Sequence, residues 1–336
     1  MILKKVIFKG GDPQHFKPQL ATQQKQDRPA IKYDFNYGGD INLKEFPFKI
    51  WRKLSMQSLD EEQAQLLLYG DPQGELELRN YMASYLYEAR GGVQCRAEQI
   101  VIGGAGLQFL LGIVCNLIGR NELFAMEDPG YYRVRYLFKD NGIKVKPIAL
   151  DEHGIHIDQL RKNNIKAVYV TPSHQFPLGT VMPISRRLAL LEWAREEDAY
   201  IIEDDYDGGE FRYAGKPIPA LQGLDSSDRV IYMGTFSKSL IPSIKLSYMI
   251  LPRKLMDLFH QNNYYVQTVS RLHQHTLQLF IESGYWERHL NKTRNSYKRR
   301  YEALVKSIHQ TFGGKMGKYM GGPAVAYIFY LNQIIR

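Results

Sequence analysis

The sequence predicts an α/β fold: a mostly parallel mixed sheet between helices, with a second, incomplete small α+β domain beginning near the C-terminus. Three observations carry this. Short, nearly continuous apolar runs recur at Gln99–Ile102, Leu123–Met126, Ile143–Ile148, Ala167–Val170, Tyr200–Glu203, Val230–Met233 and Leu246–Leu251. Continuous rather than alternating hydrophobicity marks strands covered on both faces. Helical patterns fall between some of these runs, as in Ser185–Glu197, where Leu188, Leu191 and Ala194 share one face. Finally, 336 residues at 44% hydrophobic content suffice for a large core, or for one large and one small domain.

Taken in order, residues 1–32 are polar, rich in Gln and Lys and without sustained period, and read as a flexible arm or linker remnant. A large domain is expected over residues 33–283. Within it Phe46-Pro47-Phe48 leads into a helix carrying Trp51 and Leu54. Asp71-Pro72 is expected to open a second helix, with Leu78, Met82, Tyr85, Leu86 and Ala89 at helical spacing and a stop at Gly91-Gly92. Beyond Ser270 the pattern turns helical. From Tyr285 to about Gln310, Leu290, Thr293, Tyr297, Tyr301, Leu304 and Ile308 form one stripe, opening a region 284–336 read as an interdomain helix and the start of a small domain. A last strand-like piece is Ala324–Tyr330.

Net charge is +9, from 44 basic and 35 acidic residues. Such an excess suits an anionic ligand, nucleic acid or simply a basic solvated surface. Lys292, Arg294, Lys298, Arg299 and Arg300 on the long helix leave the same choice open, without a recognisable DNA-reading motif. The two cysteines, Cys95 and Cys115, have no CxxC spacing and fit reduced thiols in a cytoplasmic protein rather than a disulfide framework or zinc site. No apolar run reaches the about 18 residues of a membrane span.

One lysine stands out. Gly234-Thr235-Phe236-Ser237-Lys238-Ser239-Leu240 presents Lys238 at the end of an apolar strand among small hydroxylated residues, where an amine is placed for covalent chemistry with an aldehyde; a solvated loop lysine is the plainer reading. Pyridoxal phosphate chemistry requires four further parts. Glu203-Asp204-Asp205-Tyr206-Asp207, at another strand end, offers a carboxylate to keep a ring nitrogen protonated and a tyrosine to donate to the phenolic oxygen; a magnesium cluster is the competing reading. Gly103-Gly104-Ala105-Gly106, before a helical run Phe109–Leu117, offers backbone amides to a phosphate. Lys245 adds a cation, and Thr235 and Ser237 add hydroxyls. In the loop Glu127–Arg133, Tyr131 is either a stacking partner or core packing, and Arg133 could receive a substrate carboxylate.

With these residues assembled, the chain resembles the fold type I, pyridoxal phosphate-dependent aminotransferases (class I/II). In particular it resembles the aminotransferase-like domain of MocR/GabR-type bacterial transcription regulators. Tyr69-Gly70-Asp71-Pro72-Gln73-Gly74, the run Val170–Pro177, Ile202–Asp207, Lys216–Gly223 and Gly234–Leu240 carry the likeness. It implies Lys238 as the residue linked to the cofactor aldehyde, Asp204 as partner of the ring nitrogen, Tyr206 as phenolic-oxygen donor and Tyr131 as the stacked aromatic. It also implies Gly104-Ala105-Gly106 as the phosphate turn. Tyr69 is implied as a contact to the neighbouring subunit's phosphate, hence a homodimer, and Arg133 as a ligand contact.

There are departures. Gly106 stands where many relatives carry a hydroxyl, and Lys245 replaces the usual arginine. Gly208-Gly209 holds an extra glycine. The small-domain arginine for the α-carboxylate and the family's N-terminal winged helix-turn-helix are expected to be missing.

The resemblance implies a ligand-sensing module in which an amino acid or other small amine exchanges onto the cofactor at Lys238. DNA would be reached only through the winged-helix domain. A stand-alone aminotransferase and an inactive remnant are the alternatives. No metal and no membrane are expected.

Overall fold

The computed structural model describes residues 45–89, 92–207, 219–262 and 264–312. The arm over residues 1–32, the Gly208-Gly209 insertion, Lys216 and the last strand-like piece therefore lie outside the described residues.

Among the described residues eight strands form one sheet, in the order β1-β8-β7-β6-β5-β2-β3-β4. They are β1 (Ile100–Gly103), β2 (Leu123–Asp128), β3 (Lys144–Asp151), β4 (Gly154–Ile155), β5 (Ile165–Val170), β6 (Tyr200–Asp204), β7 (Val230–Thr235) and β8 (Ser247–Ile250). The β3–β2–β5–β6–β7 pairings are parallel, whereas β8 is antiparallel to both β7 and β1, and β4 to β3. Strands β1, β2, β3, β5, β6 and β7 thus run one way, and their carboxyl ends meet at one edge of the sheet. Open α/β sheets bind ligands at that edge.

The continuous apolar runs have a direct cause. Successive side chains in a strand face opposite sides, and both sides are covered. In β7, Ile231 and Met233 join a core with α3 (Leu107–Ile118), α4 (Tyr132–Asp140) and α8 (Arg253–Gln261). Tyr232 enters a second core with α1 (Phe48–Ser58), α2 (Leu76–Ala89), α9 (Arg271–Glu282) and α10 (Tyr285–Phe312). A third packs α6 (Ile184–Glu196) over β5 and the start of β6. Burying each such Ile, Leu or Met contributes roughly 1.5–3 kcal/mol. Two further helices, α5 (Ile157–Arg161) and α7 (Leu221–Leu224), are short.

Two expectations change. Pro72 does not open α2, which starts at Leu76. Asp71 instead folds the intervening residues into a turn, its carboxylate accepting from Gln73 N at 2.7 Å and its carbonyl from Gly74 N at 2.9 Å. Gly74 sits at φ +94°, a conformation that side-chain-bearing residues rarely adopt. Arg133 lies in the first turn of α4, not in a loop. Of the expected stripe on α10, Leu290 and Thr293 are buried and Tyr297, Tyr301 and Leu304 half-buried, while the Ile308 side chain lies outside the described residues. Cys95 and Cys115 are free thiols. Among the described residues no helix is long and apolar enough to cross a membrane.

Candidate functional site

The sheet register brings the glycine turn and the lysine segment into one row. Gly103 pairs with Ser247, and Ser247 pairs with Thr235. Hydroxyls link the row: Ser247 Oγ and Thr235 Oγ1 are 3.0 Å apart, and Ser237 N donates to Thr235 Oγ1 at 3.1 Å. Ser237 Oγ is buried with no hydrogen-bond partner. A buried, unanswered hydroxyl costs about 1–3 kcal/mol, so its presence calls for a ligand atom.

At the glycine turn Ala105 (φ 58°) and Gly106 (φ 63°) are both left-handed, and Gly106 caps α3. Successive amides in such a turn, at a helix N-terminus, form an anion-binding concavity. Gly104 is required by crowding, since a Cβ there would lie 2.6 Å from Thr268 O. Its amide donates to Thr268 Oγ1 at 2.9 Å, so an anion at this turn rests on the amides that follow. Lys245 is left-handed (φ 48°) and exposed just before β8.

The acidic run resolves into four separate tasks. Glu203 is fully buried, accepts from Leu221 N (2.9 Å) and Gln222 N (3.0 Å), and lies 3.7 Å from the Arg187 guanidinium. Asp205 accepts from Tyr232 Oη at 2.7 Å. Asp207 pairs with His174 Nδ1. Asp204, the last residue of β6, accepts from the Tyr169 hydroxyl. Carboxylates that face four different partners do not make a cation's ligand set, and among the described residues no metal-binding cluster occurs. Burial pushes the Asp204 carboxyl up to about 7, opposed by the Tyr169 hydrogen bond and helped by nearby Asp207. Such a group is ready to become an anion once a positive charge arrives beside it.

Two loops frame this carboxylate. Tyr206 Oη donates to His174 O at 2.9 Å. Tyr131, half-buried at the N-terminus of α4, meets Phe176 edge-to-face with centroids 5.2 Å apart. Gln175 Nε2 ties the loops together, donating to Pro129 O (2.9 Å), Phe176 O (2.8 Å) and Glu127 Oε2 (3.2 Å). Arg133 is exposed, its Nε 3.3 Å from Tyr132 Oη.

Lys238 is half-buried and lines a small cavity with Phe46, His289 and Thr293. Asp204, Thr235 and the Gly104–Gly106 turn lie at one edge of the sheet, and the turn carrying Ser237 and Lys238 follows Thr235 directly; the cavity that Lys238 lines contains none of the other site residues. Tyr131 and Tyr206 stand on loops joined through Gln175. Tyr69 is not brought into this group: its side chain is fully exposed. Tyr169, Glu127, Ser247 and Thr268 had no assigned role in the sequence reading. A phenol near the end of the apolar run Ala167–Val170 was the only signal for Tyr169.

The residues present fit a phosphorylated pyridine aldehyde. A left-handed amide turn and the unpartnered Ser237 hydroxyl suit the phosphate, a buried carboxylate suits a ring cation, and a half-buried lysine suits the aldehyde. The arrangement defines a fold type I, pyridoxal phosphate-dependent class. The chain belongs to the aminotransferase class I and II family, whose profile matches residues 37–331.

It is 47% identical over 292 residues to an uncharacterized HTH-type transcriptional regulator, YdeL, of Bacillus subtilis, covering 87% of this chain and 62% of that one. It is 36% identical over 287 residues to the probable rhizopine catabolism regulatory protein MocR of Rhizobium meliloti, covering 84% and 57% respectively. The chain thus spans about three-fifths of the length of these relatives. Among solved structures, a kynurenine aminotransferase of Pyrococcus horikoshii matches with a TM-score of 0.69 at 28% identity, over 81% of this chain and 69% of that one.

Proposed function

We propose that this chain is the cofactor-binding, amine-sensing domain of a MocR/GabR-type transcription regulator and works in the cytoplasm as a homodimer. One observation carries the reading: a buried, protonatable Asp204 carboxylate at the sheet edge that also holds the Lys238 turn, in a chain whose curated relatives include HTH-type regulators. When bound, pyridoxal phosphate supplies an aldehyde that condenses with amines and a ring that withdraws electrons. In this reading Lys238 holds the aldehyde and Asp204 keeps the ring nitrogen cationic. Tyr206 would donate to the phenolic oxygen on releasing His174 O, and Tyr131 would supply the stacking aromatic. Thr235, Ser237, Lys245 and the Gly104-Ala105-Gly106 turn hold the phosphate, with Tyr69 reaching across from the neighbouring subunit. Arg133 meets the ligand.

An amine ligand would compete with the Lys238 amine for that aldehyde. The change then passes through the large domain (33–283) and the interdomain helix (from 284) to a DNA-binding part.

Purified protein with added pyridoxal phosphate is expected to gain visible absorbance that borohydride bleaches, and Lys238→Ala is expected to lack it. Identical, borohydride-insensitive spectra for both proteins would sink the assignment of Lys238. Amines that perturb this absorbance without sustained keto-acid production support sensing. Turnover at ordinary aminotransferase rates overturns sensing in favour of an enzyme.

A further inference from the structure

Tyr169 stands in the middle of the carboxyl edge. It pairs with Met126 of β2 on one side and Ile202 of β6 on the other, so Glu127 and Asp204 lie just beyond its two partners. All three side chains are at least nine-tenths buried. Tyr169 Oη donates to Asp204 Oδ2. Burial and both neighbouring carboxylates hold its phenol well above the ordinary value, so it acts as a donor and stays protonated. Glu127 is fixed on its other side: Oε2 accepts from Thr171 N (3.2 Å), Thr171 Oγ1 (2.8 Å) and Gln175 Nε2 (3.2 Å), whereas Oε1 has no hydrogen-bond partner. Burial pushes its carboxyl up to about 7, with Asp204 a smaller contributor. Asp207 and Tyr131 are the other titratable groups that act on this cluster.

We propose that Tyr169 and Glu127 are positioning residues that set, with opposite sign, how firmly Asp204 holds a positive charge on the cofactor ring. This rests on the reading of Asp204 as partner of the ring nitrogen. A donated hydrogen bond stabilises the Asp204 anion, and an anionic neighbour destabilises it. Tyr169 therefore favours the protonated ring and Glu127 opposes it. Neither residue moves a proton in this scheme; Tyr169 keeps its own and Asp204 is the group that ionises. A donor on the adjacent strand β5 and a like charge one strand further, on β2, give the chain a way to tune the electron demand of the ring without touching it.

The two substitutions Tyr169→Phe and Glu127→Gln preserve shape and separate this role from packing. The probe is pyridoxal phosphate labelled with nitrogen-15 in the ring, read by its chemical shift, with affinity from a fluorescence titration. Tyr169→Phe is expected to move the ring nitrogen toward the unprotonated form and to weaken binding by about tenfold, the range of one hydrogen bond to a charged group. Glu127→Gln is expected to move the shift the other way, with binding unchanged or tighter. A site-specific 3-fluorotyrosine at position 169 strengthens the donor and moves the shift in the Glu127→Gln direction, which keeps the test alive if the phenylalanine variant folds poorly. Wild-type chemical shifts in the variants, or shifts of one sign for Tyr169→Phe and Glu127→Gln, overturn the proposal. A wild-type protein that binds no cofactor overturns the underlying reading as well, and is told apart by its lack of visible absorbance.

Discussion

Glu203 and Arg187 face each other at 3.7 Å, both without solvent exposure, beneath the carboxylates of the candidate site. Arg187 also donates to Met182 O (3.0 Å), Pro219 O (3.0 Å) and Pro172 O (2.8 Å), so one guanidinium fastens the start of α6 to the loop after β5 and the segment before α7. Removing one member of a buried pair costs about 3–5 kcal/mol, because the other is left charged in a poor solvent. Arg187→Met is expected to destabilise the protein by that amount, since it removes three carbonyl contacts and the cation facing Glu203 together. Glu203→Gln, which still accepts from Leu221 N or Gln222 N, is expected to cost less. Urea unfolding of both variants checks the order; equal midpoints would show that the carbonyl contacts, not the charge pair, dominate.

Ser237 gives a prediction in which two readouts move in opposite directions. Its buried hydroxyl has no partner, so Ser237→Ala relieves an unsatisfied group and is expected to leave the cofactor-free protein equally stable or about 1 kcal/mol more stable. The same change removes a phosphate donor and is expected to weaken pyridoxal phosphate binding by about tenfold. Thermal melting without cofactor and a binding titration together check it. A variant that melts lower and binds equally well would place the hydroxyl in the fold rather than the site.

Much of this arrangement was legible in the sequence for a plain reason. Strands such as Tyr200–Asp204 and Val230–Thr235 are buried on both faces, and their apolar runs end where the sheet ends. Polar residues that break such a run abruptly, as Asp204 and Thr235 do, mark the ligand-binding edge. Lateral neighbours were not legible. Tyr169, Glu127, Ser247 and Thr268 acquire their roles only when strands from distant parts of the chain come into register. Local chemistry also misled: Asp71-Pro72 looks like a helix start, yet the Asp71 carboxylate prefers Gln73 N and folds a turn first. The single turn separating Tyr131 from Val134 hid that Arg133 is helical.

Glu127 predicts a pH dependence of stability. Burial raises its carboxyl to about 7 in the folded chain, against about 4.3 when unfolded. Between these values the folded state holds the extra proton, so stability is highest below the unfolded value and falls as pH rises through 7. The loss attributable to Glu127 over that whole window is on the order of 3–4 kcal/mol. Glu127→Gln lacks this titration, and its denaturation midpoint is expected to fall less than the wild type's between about pH 5 and pH 7.5. Asp204, raised by burial in the same direction, contributes a fall of its own in both proteins, ending at lower pH in Glu127→Gln, where the neighbouring negative charge is gone. Parallel curves for wild type and variant would mean that Glu127 ionises freely in the fold.

Tyr69 decides whether the site is shared between subunits. Its side chain is fully exposed, while the backbone beside it is held, Gly70 N donating to Gln267 Oε1 at 2.7 Å. A rigidly based, wholly exposed tyrosine suits a contact to a second copy rather than to its own chain. Tyr69→Phe is expected to weaken cofactor binding by about tenfold and to leave the unfolding midpoint of the cofactor-free protein unchanged. Mixing Tyr69→Phe with Lys238→Ala subunits then discriminates. If Tyr69 serves the neighbour, mixed dimers carry one complete site, in which Lys238 of the first subunit works with Tyr69 of the second, and a tight-binding component absent from both parents appears on mixing. If Tyr69 serves its own subunit, every lysine-bearing site keeps the phenylalanine and no tight component emerges.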